Sequence, residues 1–188
     1  MTVTLSNTPV LETDRLILRA PHAGDWLYWK DMALSDRAEF VRAPDINESV
    51  AWRGMGHIIG HWVLHGWGSF IITRKGDDAA LGMTGPWFPA GWPEKELGWA
   101  IWSPAAEGTG FAFEAATAAR DYAFETLGWP TAVSYIHRDN VRSIKLAQRL
   151  GAVLEPGSPT PVQAAPSETD SDEDNILVYR HPTPGAQS

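Results

Sequence analysis

The chain has 188 residues, a length that suits one domain with a sizeable core, and its 15 basic against 23 acidic side chains leave a net charge of −8, which argues against a broad nucleic-acid or anionic-membrane surface. With no cysteine, disulfides, thiolate metal sites and a cysteine nucleophile are excluded. The start carries no basic leader and no stretch approaches the roughly 18 apolar residues of a membrane span, so a cytoplasmic protein without membrane or nucleic-acid partners is expected.

Residues 1–9 read as an N-terminal arm. Leu11 to Arg19 alternates Leu16 and Leu18 against Arg15, Ile17 and Arg19 and reads as the first strand. Pro21 stops it, and a helix follows with Asp25 as N-cap and Trp26, Trp29, Met32 and Ala33 on one side. After Ala43-Pro44-Asp45, Asn47 caps a second helix carrying Met55, Ile58, Ile59 and Trp62. His57, His61 and His65 stand one turn apart on it, a spacing that can present several imidazoles to one metal. Neither cysteine nor a clear carboxylate partner accompanies them, so they read as polar positions on an amphipathic helix and no metal site is assigned. Histidines lining an acceptor groove are the other functional reading.

Ser69–Thr73 and Ala80–Trp87, around a turn at Lys75-Gly76-Asp77-Asp78, form a hairpin, and the aromatic loop from Phe88 to Pro93 leads into a third strand. That strand, Glu96 to Trp102, is nearly continuous in bulky apolar residues, as expected of a strand covered on both faces. Pro104 ends it. Gly108 and Gly110 then open a helix running through Phe111, Ala115, Ala119 and Tyr122 to about Thr126. The first turn of a helix has amide N–H groups without intrahelical partners and the positive end of the dipole, so this opening is a candidate cradle for a phosphorylated cofactor. Glycine before a helix is also ordinary turn chemistry, and neither a nucleotide P-loop nor a three-glycine dinucleotide fingerprint is present. Thr131–Ile136 is a further strand, Asn140 starts a helix closed by Gly151, and Ala152–Glu155 and Asn175–Arg180 are the last strands. Residues 156–174 read as a flexible acidic Pro/Ser-rich loop and 181–188 as a tail. This order predicts one α+β domain, a mixed but mostly antiparallel sheet of about seven strands flanked by about four helices.

Two segments, Glu107-Gly108-Thr109-Gly110-Phe111-Ala112 and Asn140-Val141-Arg142-Ser143 leading to Leu150-Gly151-Ala152, together with the element order, resemble the GNAT superfamily of acetyl-CoA-dependent N-acetyltransferases. The opening LETDRLILRAP and the phrase DNVRSIKLAQRLGA are similar to the branch of the ribosomal-protein N-terminal acetyltransferases. The resemblance implies acetyl-CoA as co-substrate. In the family a Gln/Arg-x-x-Gly-x-Gly/Ala loop binds the CoA pyrophosphate; Gly110 and Ala112 match its last two fixed positions, and Glu107 departs from the first. The preceding strand, here Trp99, Ala100, Ile101 and Trp102, supplies backbone groups to the pantetheine and the thioester. Asn140 matches the asparagine that contacts the pantetheine arm. Ser143 lies one turn on, where a hydroxyl can serve the departing thiolate; Ala147 stands where many relatives have a tyrosine acid, so Ser143 or water is left to serve.

An attacking amine must lose its proton, and a carboxylate of raised pKa, or a water chain, can take it. Glu96, placed like the strand glutamate that acts as base in some relatives, is the candidate, with His57, His61 and His137 behind it. The resemblance thus implies direct acetyl transfer to a primary amine, a peptide N-terminus or a small molecule, by a monomer or homodimer. The cofactor is expected where the Glu96 strand and its successor part, and the acceptor over the first two helices and the loop from Trp87 to Trp92. A small-molecule acetyltransferase and a non-catalytic acyl-CoA-binding module are the alternatives.

Overall fold

The computed structural model describes residues 3–41, 46–161 and 175–183. Residues 162–174 of the acidic insert and 184–188 of the tail lie outside them. Eight strands form one sheet in the order β1-β2-β3-β4-β5-β6-β8-β7. They are β1 (Leu11–Glu12), β2 (Leu16–Arg19), β3 (Phe70–Arg74), β4 (Asp77–Trp87), β5 (Glu96–Ile101), β6 (Ala132–His137), β7 (Val153–Leu154) and β8 (Ile176–His181). The helices are α1 (Trp26–Ala33), α2 (Glu48–His65), α3 (Phe111–Asp121) and α4 (Val141–Arg149). The strands β3, β4 and β5 form the expected antiparallel meander. Among the described residues, only β5 and β6 pair in parallel, as the crossover through α3 requires.

The sheet has eight strands where about seven were expected, because the first segment is a hairpin. Leu11 pairs with Leu18 and Glu12 with Ile17. Between them the Thr13 hydroxyl accepts the Leu16 N–H at 3.0 Å, turning the chain where the alternation alone read as one strand. Asp25 does stand at the N-cap position of α1, but its side chain makes no capping bond there. Its carboxylate is held by Arg19 through 2.8 and 2.9 Å bonds and accepts the His22 N–H at 2.8 Å, within a preceding 3-10 turn. Asn47 does cap α2, accepting the Val50 N–H at 3.0 Å. The third helix begins at Phe111 rather than Gly108, since Gly110, at φ 85°, is its N-cap, and a single π turn (Tyr122–Thr126) ends it. His181, read as the start of the tail, is buried and pairs with Ala132 as the last residue of β8.

Alternation along β5 sends Leu97 and Ile101 to one face, against α3, and Ala100 to the other, against Trp29 and Met32 of α1 and Ala51 and Met55 of α2. The central strand is therefore covered on both faces, as its apolar run requires. Gly82 of β4 lies so close to β5 that an added Cβ would stand 2.3 Å from the Ala100 carbonyl oxygen, which keeps the two strands in tight register. No helix of the described residues is long and apolar enough to cross a membrane.

Candidate active site

The site begins where the sheet comes apart. The β5–β6 ladder has a single register pair, Glu96 with Val133, supported by a 2.9 Å bond from the Val133 N–H to the Lys95 carbonyl. One residue on, side chains replace the ladder: the Ser134 hydroxyl donates to the Leu97 carbonyl at 2.6 Å. With its proton so used, Ser134 Oγ accepts from His181 Nε2 at 2.9 Å. Burial, with Arg120 nearby, pulls His181 down to about 4, so it is neutral at pH 7. Beyond this pin the strands part, and the Trp99 indole N–H crosses to α4, donating to Ser143 Oγ at 3.2 Å.

The Trp102 N–H points to β4, bonding the Leu81 carbonyl at 2.8 Å, whereas the Leu97 carbonyl faces β6. Alternation then turns the backbone groups of Trp99 and Ile101 toward the gap. Such N–H donors are the type that stabilises charge on a carbonyl oxygen set before them. The Ile101 carbonyl accepts from Arg37 at 3.2 Å.

A cleft of about 740 Å³ opens from this gap toward α1 and α2, and Glu96, Trp99, Asn140 and Ser143 all line it. Glu96 accepts a 2.6 Å hydrogen bond from the Trp92 indole. Desolvation by its surroundings pushes its carboxyl up to about 7, against the opposing pull of Trp92 and the Tyr135 backbone. Neighbouring Glu94 is instead held by Arg180 at 2.9 and 3.0 Å, so the two carboxylates of this segment have different environments. Ser143 accepts from Trp99 and keeps its own proton to donate. Asn140 lines the cleft, and its Oδ1 caps α4 by accepting the Ser143 N–H at 3.2 Å. Ala147 is fully buried in the cluster of Ile136, Ala152 and Tyr179.

The other residues named from the sequence lie apart. The Ala100 and Trp102 side chains are core on the α1 face, while Ile101 and Phe111 pack on the α3 face. Glu107, Gly108, Thr109, Gly110 and Ala112 form the opening of α3. There Glu107 does not project alone: it takes bonds from Arg37 at 2.5 Å and Arg142 at 2.8 Å, which hold its carboxyl below the usual range. Arg15 and Arg74 stand over the Phe111 ring at 4.6 and 5.3 Å, and Arg15 also bonds the Thr109 carbonyl at 3.1 Å. Four arginines thus gather around one helix N-terminus, with Arg37 and Arg142 paired to Glu107 and Arg15 paired to Glu114 at 2.6 Å, and the N–H groups of the first turn are the type that receives a phosphate.

The three histidines of α2 separate in role. His61 is buried, with Nδ1 3.0 Å from the Trp67 carbonyl and Nε2 accepting the Phe88 N–H at 3.0 Å, so both ring nitrogens are used by backbone. His65 stacks on it at 4.4 Å. His57 and His137 line the cleft. Among the described residues no three His, Asp or Glu groups are arranged to hold a metal. Sequence reasoning missed Arg37, the Ser134–His181 pin, and Phe40 and Tyr135 in the cleft wall. Arg37, Phe40 and His181 are distant in sequence from the segments they meet, and only Ser134, a small polar residue between Val133 and Tyr135 in a strand, carried a signal.

Known proteins bear on this geometry. A model of the acetyltransferase (GNAT) domain matches residues 15–153. The acetyltransferase from Agrobacterium tumefaciens str. C58 is 34% identical over 97% of this chain and 99% of its own, with a TM-score of 0.81. A GNAT-family acetyltransferase from Bacillus anthracis is 18% identical over 92% and 96%, with a TM-score of 0.68. A ribosomal-protein-S5-alanine acetyltransferase from Vibrio fischeri is 13% identical over 96% and 100%, at 0.69. The last two, at these identities, speak for the fold.

Proposed function

The chain belongs to the GNAT family of acetyltransferases, and from that premise we propose that it moves an acetyl group from acetyl-CoA directly onto a primary amine, with Glu96 as the base. The single observation that carries this reading is a carboxylate pushed up to about 7, lining the same cleft as the parted strands and Ser143. Acetyl-CoA, when bound, supplies the activated acetyl group. Its phosphates are assigned to the opening of α3, with Arg37 and Arg142 beside it, and its arm to the gap lined by Trp99 and Asn140.

The chemistry assigned to the protein is proton handling and positioning. An ammonium has no lone pair, so the acceptor enters charged, gives a proton to ionised Glu96 and attacks as the free amine. The C–N bond forms and the C–S bond breaks, with the Trp99 and Ile101 amides facing the acyl oxygen. As the amide forms, the nitrogen gives its second proton to solvent, Ser143 donates its hydroxyl proton to the departing sulfur and recovers one from solvent, and Glu96 releases its proton to solvent. In balance, an ammonium and a thioester become an amide, a thiol and one released proton. No step needs a covalent enzyme intermediate.

Glu96→Gln tests the assignment. The isosteric amide keeps an acceptor for Trp92 and removes the base, so kcat should fall by about 10²–10⁴, while stabilisation by acetyl-CoA is retained. Unchanged turnover would remove Glu96 from the mechanism.

A further inference from the structure

The identity of the acceptor is written in the walls of the cleft. Resting on the reading above, we infer that the acceptor is a primary amine carried on an aromatic or apolar body, with no carboxylate beside the amine.

Three observations converge. The walls beyond Glu96 are aromatic: Trp87, Trp92, Tyr135, His57, Phe40 and His137 line the cleft. They are ordered against one another, His57 edge-on to Trp87 at 4.8 Å and Phe40 over His137 at 5.4 Å. Flat apolar surfaces of this kind receive a ring or an apolar chain, and their faces favour a cation. The charged groups of the lining, among the described residues, are Glu39 and Glu96, with no lysine or arginine. An arriving ammonium meets carboxylates, whereas a carboxylate on the next carbon would be desolvated against Glu96 with no cation to answer it. Finally, Gly98 forms the floor below Glu96. A Cβ built there would meet nothing nearer than Glu96 Oε1, at 3.8 Å, so the missing side chain leaves the space by which an amine reaches the base.

The selectivity follows from the chain's own residues: carboxylates and rings attract the amine, and a second negative charge is refused.

The test compares phenethylamine, phenylalaninamide, phenylalanine and spermidine as acceptors, following CoA release with saturating acetyl-CoA. Phenethylamine and phenylalaninamide should exceed phenylalanine in kcat/KM by at least about 100-fold, and should also exceed spermidine. Phe40→Ala, at the exposed rim, should raise the KM for phenethylamine at least about fivefold and leave the KM for acetyl-CoA unchanged. Equal use of phenylalanine, a preference for spermidine, or a Phe40→Ala enzyme with unaltered KM for phenethylamine overturns this inference and leaves the proposed function standing. Stabilisation by acetyl-CoA without turnover of any amine, or no stabilisation at all, overturns both.

Discussion

Glu96 has no cationic partner among the described residues, and under the proposed mechanism its protonation decides when the cleft can act. The carboxyl stands at about 7 rather than its ordinary 4.5 because the protein removes water from it. As an acid with a raised pKa, it holds in the folded chain a proton that the unfolded chain has already lost between about 4.5 and 7. Stability should therefore fall as pH climbs through that window, and a Glu96→Gln protein should lack this slope in denaturant titrations. Activity moves the other way. Only the ionised form accepts a proton, so kcat/KM should rise about tenfold per pH unit up to roughly 7 and then bend. In Glu96→Gln the bend should vanish while the amine's own ionisation still shapes the profile. A wild-type profile without an inflection near neutrality would assign proton removal to another group.

At the scale of elements, the site depends on β5 ending its pairing with β6 early and on α3 beginning abruptly. The first is achieved by Ser134, whose hydroxyl, held by His181, satisfies the Leu97 carbonyl where a ladder bond would otherwise continue the sheet. The second is achieved by Gly110 in the left-handed region at φ 85°, with the Arg15 guanidinium 3.4 Å from where a Cβ would stand. Gly110→Ala should cost about 1–2 kcal/mol of stability in equilibrium unfolding, from left-handed strain alone. It should also weaken acetyl-CoA binding, because the N–H groups of the first turn would be re-aimed. Wild-type stability and affinity in this variant would show that the conformation at the helix opening is not required.

For the whole molecule, binding and folding are coupled. Acetyl-CoA at about a hundred times its dissociation constant should add roughly 2.7 kcal/mol to the folded state, read as a rise in melting temperature that shrinks with added salt. Absence of any shift would remove the cofactor assignment. The glycine-opened helix after a doubly covered strand, the Asn47 and Asn140 caps and the meander were legible from local chemistry, because turn residues, caps and apolar alternation act over a few positions. The same holds for the spacing that resembles the GNAT family and for Glu96 as a carboxylate at a strand's start. The hairpin within the first segment was not legible, since one Thr13 hydrogen bond overrides the alternation around it. Nor was the pairing of Glu107 with Arg37 and Arg142, which lie 70 and 35 residues away in the chain. The sequence by itself thus determined which elements form, and it marked the family. Only the tertiary structure decided that Glu96 is desolvated, that Glu107 is paired with arginines and that aromatic walls face Glu96, because burial, charge pairing and cleft shape are properties of residues brought together from distant parts of the chain.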